Sequence, residues 1–199
     1  MIRLDGFVNN TAQVLGYASV LEGASVDDDA IVMGHAVVRP GGRVREQAIV
    51  SGHAVILGDV YGEARVTGNA SVSGRVGENA RIGGDAAIPA DAEIGRFAVI
   101  QNKHGSAHGR IGSESWDAYT CWDGKKWFVM LRFACKAQAL TCWEDEGKVK
   151  EHARDISYAR AGYWEEAIER VRDLAREIVV IPKSPPQLEA WPAPILEGS

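Results

Sequence analysis

From Thr11 to Ile100 the chain alternates small and aliphatic residues with a six-residue period. Ala30-Ile-Val32-Met-Gly34, Ala48-Ile-Val50-Ser-Gly52 and Ala64-Arg-Val66-Thr-Gly68 show the unit: a small residue, an aliphatic one two positions later, then a corner containing Gly. Two positions apart on an extended chain means the same side, so the small and aliphatic residues face inward and the residue between them faces outward. Gly suits the corner because it tolerates a positive φ, and the Asn, Asp, Glu or His that follows it is polar. Ala fits where two faces converge and leave room for a methyl, while Val or Ile fills the centre. A period this short predicts a parallel β-helix of very short strands.

The hexads resemble those of hexapeptide-repeat proteins with a left-handed parallel β-helix, in which three hexads make one triangular coil. The resemblance implies the handedness and about five coils, stacked at roughly 4.8 Å. Three slots per coil sort the small residues into columns: Ala18, Ala36, Ala54, Ala70 and Ala86; Ala24, Gly42, Gly58, Gly74 and Ala92; Ala12, Ala30, Ala48, Ala64, Ala80 and Ala98. The steps from Ala54 to Gly58 and from Ala70 to Gly74 are four residues instead of six. Both fall at the same edge, and the three Gly replacements occupy the column just past it. A tightened corner favours the smallest residue, which supports this register. It predicts that Val26, Val44, Val60, Val76 and Ile94 stack inside one face.

The outward positions differ between faces. Ser25, Arg43, Asp59, Arg75 and Glu93 make the second face polar. The other two carry β-branched apolar residues in the second and third coils: Ile31 and Ile49 on the third face, Val37 and Val55 on the first. These four flank a corner bearing His35 and His53, with Asn69 and Asp85 further along. A contiguous apolar patch marks an interface. Ile31, Val37, Ile49, Val55, His35 and His53 are therefore the expected contact residues, covered by a second protomer about a threefold axis or by a helix of the same chain.

Residues 1–11 read as an irregular N-terminal cap, 12–102 as the β-helix and 103–115 as a polar linker. An α+β domain is expected over 116–181. Trp116–Trp122 and Lys126–Phe133 flank Asp123-Gly124, a hairpin signal. A short helix is expected within 136–154. Over 158–178 Tyr163, Ala167, Val171, Leu174 and Ile178 recur at helical spacing, predicting a long amphipathic helix that Pro182 ends. Residues 182–199 form a Pro-rich tail. The repeat array followed by Ile111-Gly-Ser113, a hairpin around Asp123-Gly-Lys, then His152-Ala, Tyr158, Tyr163 and Ala167-Ile168 resembles a group of uncharacterised phage and prophage proteins. That group carries hexapeptide repeats and a small C-terminal α+β domain; where it has a Gly-Thr-Leu turn, this chain has Gln138-Ala-Leu140.

Composition adds boundaries. The net charge of −5 comes with no basic run and no basic face with interleaved aromatics, so nucleic acid is not an expected partner. No apolar stretch is long enough to span a membrane, and Met1–Asp5 has no signal-peptide core. Cys121, Cys135 and Cys142 form no disulfide framework and no Cys-x-x-Cys pair, which fits the cytoplasm.

The expected function is a non-enzymatic scaffold for protein binding or assembly, a homo-oligomer with a trimer favoured, an unidentified protein partner and no cofactor. A phage accessory role is what the resemblance implies. The alternatives are enzymes on the same fold. Trimeric hexapeptide-repeat acyltransferases use a loop His as general base, and here no hexad is interrupted by a loop. γ-class carbonic anhydrases bind zinc through three His at a subunit interface. Val99-Ile-Gln-Asn-Lys-His104 with His108 resembles their metal-site stretch, so this alternative takes His35, His53, His104 and His108 as zinc ligands. An acidic rim of Asp27, Asp28, Asp29, Glu46, Glu63 and Glu78 follows another edge.

Overall fold

The computed structural model describes residues 2–95, 98–111, 114–122, 125, 127–133, 140–142, 173 and 177–186. The described chain divides between Lys103 and His104 into two compact units, and Pro186 belongs with the first.

The first unit is a left-handed parallel β-helix with three faces. Each face holds six two-residue strands and spans five full turns. On the first face Ser19, Val37, Val55, Ser71 and Ala87 stand in register, on the second Ser25, Arg43, Asp59, Arg75 and Glu93. On the third the column is Gln13, Ile31, Ile49, Arg65, Arg81 and Val99. The inward residues stack as the hexads predict: Val26, Val44, Val60, Val76 and Ile94 are all buried, beside the buried Ala columns. Each inward Val or Ile contributes about 1.5–3 kcal/mol of apolar transfer energy, which drives the coils together.

The short edge lies between the first and second faces and is tight enough to require Gly. A Cβ added at Gly42 would sit 2.6 Å from the carbonyl oxygen of Ile56. At Gly58 it would collide with the carbonyl oxygens of Gly74 and Ser73, and at Gly74 with those of Pro89 and Ala92. The obstacles are backbone atoms, which cannot rotate away.

Residues 1–11 are not an irregular cap. Arg3–Leu4 pairs with Ser19–Val20 and Phe7–Val8 with Ser25–Val26, so this segment begins the first coil. Arg3 meets Ser19 after sixteen residues, making Gly6 a third short corner at the same edge. A Cβ on Gly6 would lie 2.7 Å from the carbonyl oxygen of Ala24.

The second unit contains a four-stranded antiparallel sheet: Ser106–Ile111, Glu114–Trp122, Trp127–Phe133 and Leu140–Cys142, adjacent in that order. The predicted hairpin is present, with Trp122 opposite Trp127. One expectation is corrected: the linker over 103–115 contains the edge strand Ser106–Ile111. Leu140–Cys142 is a strand as well, and the rest of 136–154, where a short helix is expected, lies outside the described residues. In each case a neighbouring strand supplies the backbone partners that the local sequence does not announce. From Trp116 to Cys121 every residue is buried, so the strand that contains them is covered on both sides. Of the helix expected over 158–178, only Asp173, Glu177 and Ile178 lie among the described residues, and these three are helical, while no complete helix is defined among the described residues. Cys135, His152 and all of the Pro-rich tail after Pro186 also lie outside them.

Candidate functional site

The corner between the third and first faces is built on a column of glycines. Gly16, Gly34, Gly52, Gly68 and Gly84 have φ values of 71, 73, 71, 70 and 59°. After the first four of these, the next residue donates its backbone N–H to the Gly carbonyl of the following coil: Tyr17 to Gly34 at 2.7 Å, His35 to Gly52 at 2.7 Å, His53 to Gly68 at 2.8 Å and Asn69 to Gly84 at 2.7 Å. This bonding sets the side chains one above another at the coil spacing. Tyr17 and His35 stack with ring centroids 5.0 Å apart, and His35 and His53 with centroids 4.9 Å apart and planes 8° from parallel.

His35, His53 and Tyr17 are exposed. Tyr17 was not among the expected contact residues. Its signal was its place directly after Gly16, eighteen residues before His35. The flanking positions divide. Val37 and Val55 are half-buried. Ile31 and Ile49 face outward yet are only 7% and 6% exposed within the single chain, in a cluster with Met33 and the partly buried Leu15. The surface left open at this corner is therefore the ring column with Val37 and Val55 beside it.

The four His of the zinc alternative do not share one unit. His35 and His53 stand on the solenoid, whereas His104 and His108 belong to the second unit. In parallel stacked rings the nitrogen lone pairs lie in the ring planes and run side by side, so His35 and His53 do not converge on a point as ligands of one tetrahedral zinc must. His108 lies opposite Asp117 in the sheet, and its Nδ1 is 2.8 Å from Asp117 Oδ1. His104 is exposed, and its carbonyl accepts a hydrogen bond from the N–H of Val180 at 2.8 Å.

The acidic edge, between the second and third faces, has a structural use for its carboxylates. Asp28, Glu46 and Glu78 adopt φ values of 55, 62 and 54°, a region that costs a non-glycine residue energy. The Asp28 carboxylate accepts the backbone N–H of Glu46 at 3.0 Å, and the Glu46 carboxylate that of Gly62 at 3.1 Å. Each acid thereby ties its coil to the next. Asp28→Asn keeps the acceptor and tolerates this φ. Asp28→Ala loses both, and should lower unfolding free energy by about 1–2 kcal/mol relative to the Asn variant in urea titrations.

An open groove of about 790 Å³ follows this edge, lined by Asp28, Glu46, Gln47, Tyr61, Glu63 and Glu78 among others. Beside it, Arg45 grips Asp59 with two hydrogen bonds of 3.1 and 3.0 Å and reaches Glu46 at 2.7 Å. The hydrogen bond to Asp59 raises the Arg45 pKa most. The Arg45 and Arg75 guanidinium carbons lie 4.8 and 5.4 Å from the centroid of the Tyr61 ring, a cation–π arrangement. The ring rests against Gly77, where a Cβ would strike it.

Burial, followed by the charge of Glu93, raises the Tyr61 phenol above its ordinary value. The folded state then resists phenol ionisation. Its contribution is present below the unfolded phenol value near pH 10 and is lost as pH rises through the raised folded value. Wild type should lose stability relative to Tyr61→Phe only above about pH 10, read by denaturant midpoints across that range.

No family model, curated protein or solved structure matches this chain. What the geometry defines is a class: a parallel β-solenoid followed by a small antiparallel sheet.

Proposed function

We propose that this protein is a non-enzymatic β-helix scaffold for protein binding or assembly. The observation that supports this reading best is the exposed Tyr17, His35 and His53 column with half-buried Val37 and Val55 alongside. Its backbone is locked coil to coil, so the rings need little further ordering on contact. Aromatic rings beside aliphatic groups suit a protein surface. In this reading the corner lies at a threefold axis relating three protomers, and a phage accessory role is what the resemblance of the sequence to phage and prophage repeat proteins implies.

Sedimentation of Val55→Asp tests the contact. The outward, half-buried site leaves the coils intact, and the assembly mass should fall about threefold. An unchanged mass overturns the trimer corner. His35→Asn with His53→Asn should fold with unaltered metal content, because Asn suits the same corner. Stoichiometric zinc in the parent that disappears in this double variant would instead overturn the scaffold reading and revive the zinc alternative.

A further inference from the structure

The two ends of the solenoid differ. Ile88, Ile94 and Ile100, inward residues of the last coil, are buried within the chain. At the first coil the equivalent positions are open. Leu4 pairs with Val20 in register, yet Leu4 is 52% exposed and Val20 is 0% exposed. Ile2 is exposed, Val8 and Val14 are half-buried, and Phe7 at the rim is 62% exposed. Arg3–Leu4, Phe7–Val8 and Gln13–Val14 each end their sheet, so each has a neighbour on one side only among the described residues.

We infer that this end docks a second copy of the chain, first coil against first coil, about a twofold axis. Three observations choose that occupant. Each open edge is two residues long, too short for an added peptide strand to gain more than a few backbone bonds. All three edges are covered at once only by another triangular coil of the same cross-section. The last coil of a second copy does not serve, because its own inward residues are already covered; this leaves a closed isologous contact, not a filament. A twofold axis perpendicular to the solenoid sets the facing edges antiparallel, a pairing open strand edges accept.

Charge favours the same partner. Between Met1 and Tyr17 the charged side chains are Arg3 and Asp5, which pair with each other. Two copies that each carry a net charge of −5 thus approach through an end with no net side-chain charge. This contact is separate from the corner of Tyr17, His35 and His53, and it halves the assembly when lost, whether or not a threefold axis exists.

The test is sedimentation equilibrium of the full chain and of Leu4→Asp, with amide hydrogen exchange at Leu4, Val8 and Val14. Leu4 is half-open in the single chain, so the variant keeps its coils, which circular dichroism verifies. Wild type should show an even number of subunits with these amides protected. Leu4→Asp should halve the mass, weaken association at least tenfold and unprotect them, because a carboxylate would be buried without a partner. Phe7→Asp at the rim should act in the same direction. An odd-numbered or monomeric wild type overturns the inference, as does a mass that Leu4→Asp leaves unchanged. Failure of Val55→Asp to act leaves this contact standing, so the two readings fall separately.

Discussion

Gly58→Val should destabilise the solenoid by about 3 kcal/mol, at the upper end of the overpacking range. The added Cβ meets the carbonyl oxygens of Gly74 and Ser73, both main-chain atoms of the adjoining coil. Relief needs the coils to separate, which would break the bonds from Leu57 and Gly58 N–H to the Val72 carbonyl, at 2.7 and 3.0 Å. In a solenoid each coil is held by its neighbours, so the damage stays near the fourth and fifth coils. Thermal melting by circular dichroism should show a midpoint lowered on the order of 10 °C. Ala54→Gly, at the first-face slot one step earlier, loses a buried methyl and should cost only about 1 kcal/mol. Equal melting of Gly58→Val and the parent would mean that the short edge is misplaced.

Ile49→Asp should cost a further large amount, about 2–3 kcal/mol, by placing a carboxylate in an apolar cluster, a penalty that the half-buried Arg65 in register with it in the next coil offsets only in part. Ile49 is outward in register but buried, together with Ile31 and Met33. Val37→Asp is the comparison: its site is half-buried within the single chain, so its cost to folding of the protomer should be below about 1 kcal/mol. Limited proteolysis with mass analysis gives a second readout. In Ile49→Asp new cuts should appear while the coils around Val26 and Val44 stay protected. If both Asp variants melt alike, the cluster of Leu15, Ile31, Met33 and Ile49 is not a closed apolar contact.

These two substitutions separate what was legible in the residues from what was not. The tight corner at Gly58 was legible because a solenoid repeats one local rule. The interval from Ala54 to Gly58 reports the corner length directly, and the Gly column reports how little space lies beyond it. The same rule extended to Gly6-Phe-Val8 and to Ile2-Arg-Leu4, where a large Ile in place of Ala hid the pattern. Ile2 fits there because, among the described residues, no strand lies beyond Arg3–Leu4 to crowd it. The ring column was half legible: the His pair followed from the register, and Tyr17 required extending it one coil further.

The linear order of residues by itself determined the parallel β-helix, its three faces, the register, the inward core and the tight edge, since each depends on contacts between positions sixteen or eighteen residues apart. It also determined the hairpin between Trp116 and Phe133, through alternation and an Asp-Gly turn. Only the tertiary structure decided that Ile31 and Ile49 are buried while Val37 and Val55 are partly open, because cover over an outward face depends on what lies across it and not on its own repeat. It likewise decided that Ser106–Ile111 and Leu140–Cys142 are strands, since a strand's backbone bonds come from a neighbour distant in sequence. The acidic edge was decided there too: in the sequence Asp28 and Glu46 are members of an acidic rim, and in the structure, at corner positions of positive φ, their carboxylates accept backbone N–H groups of the next coil.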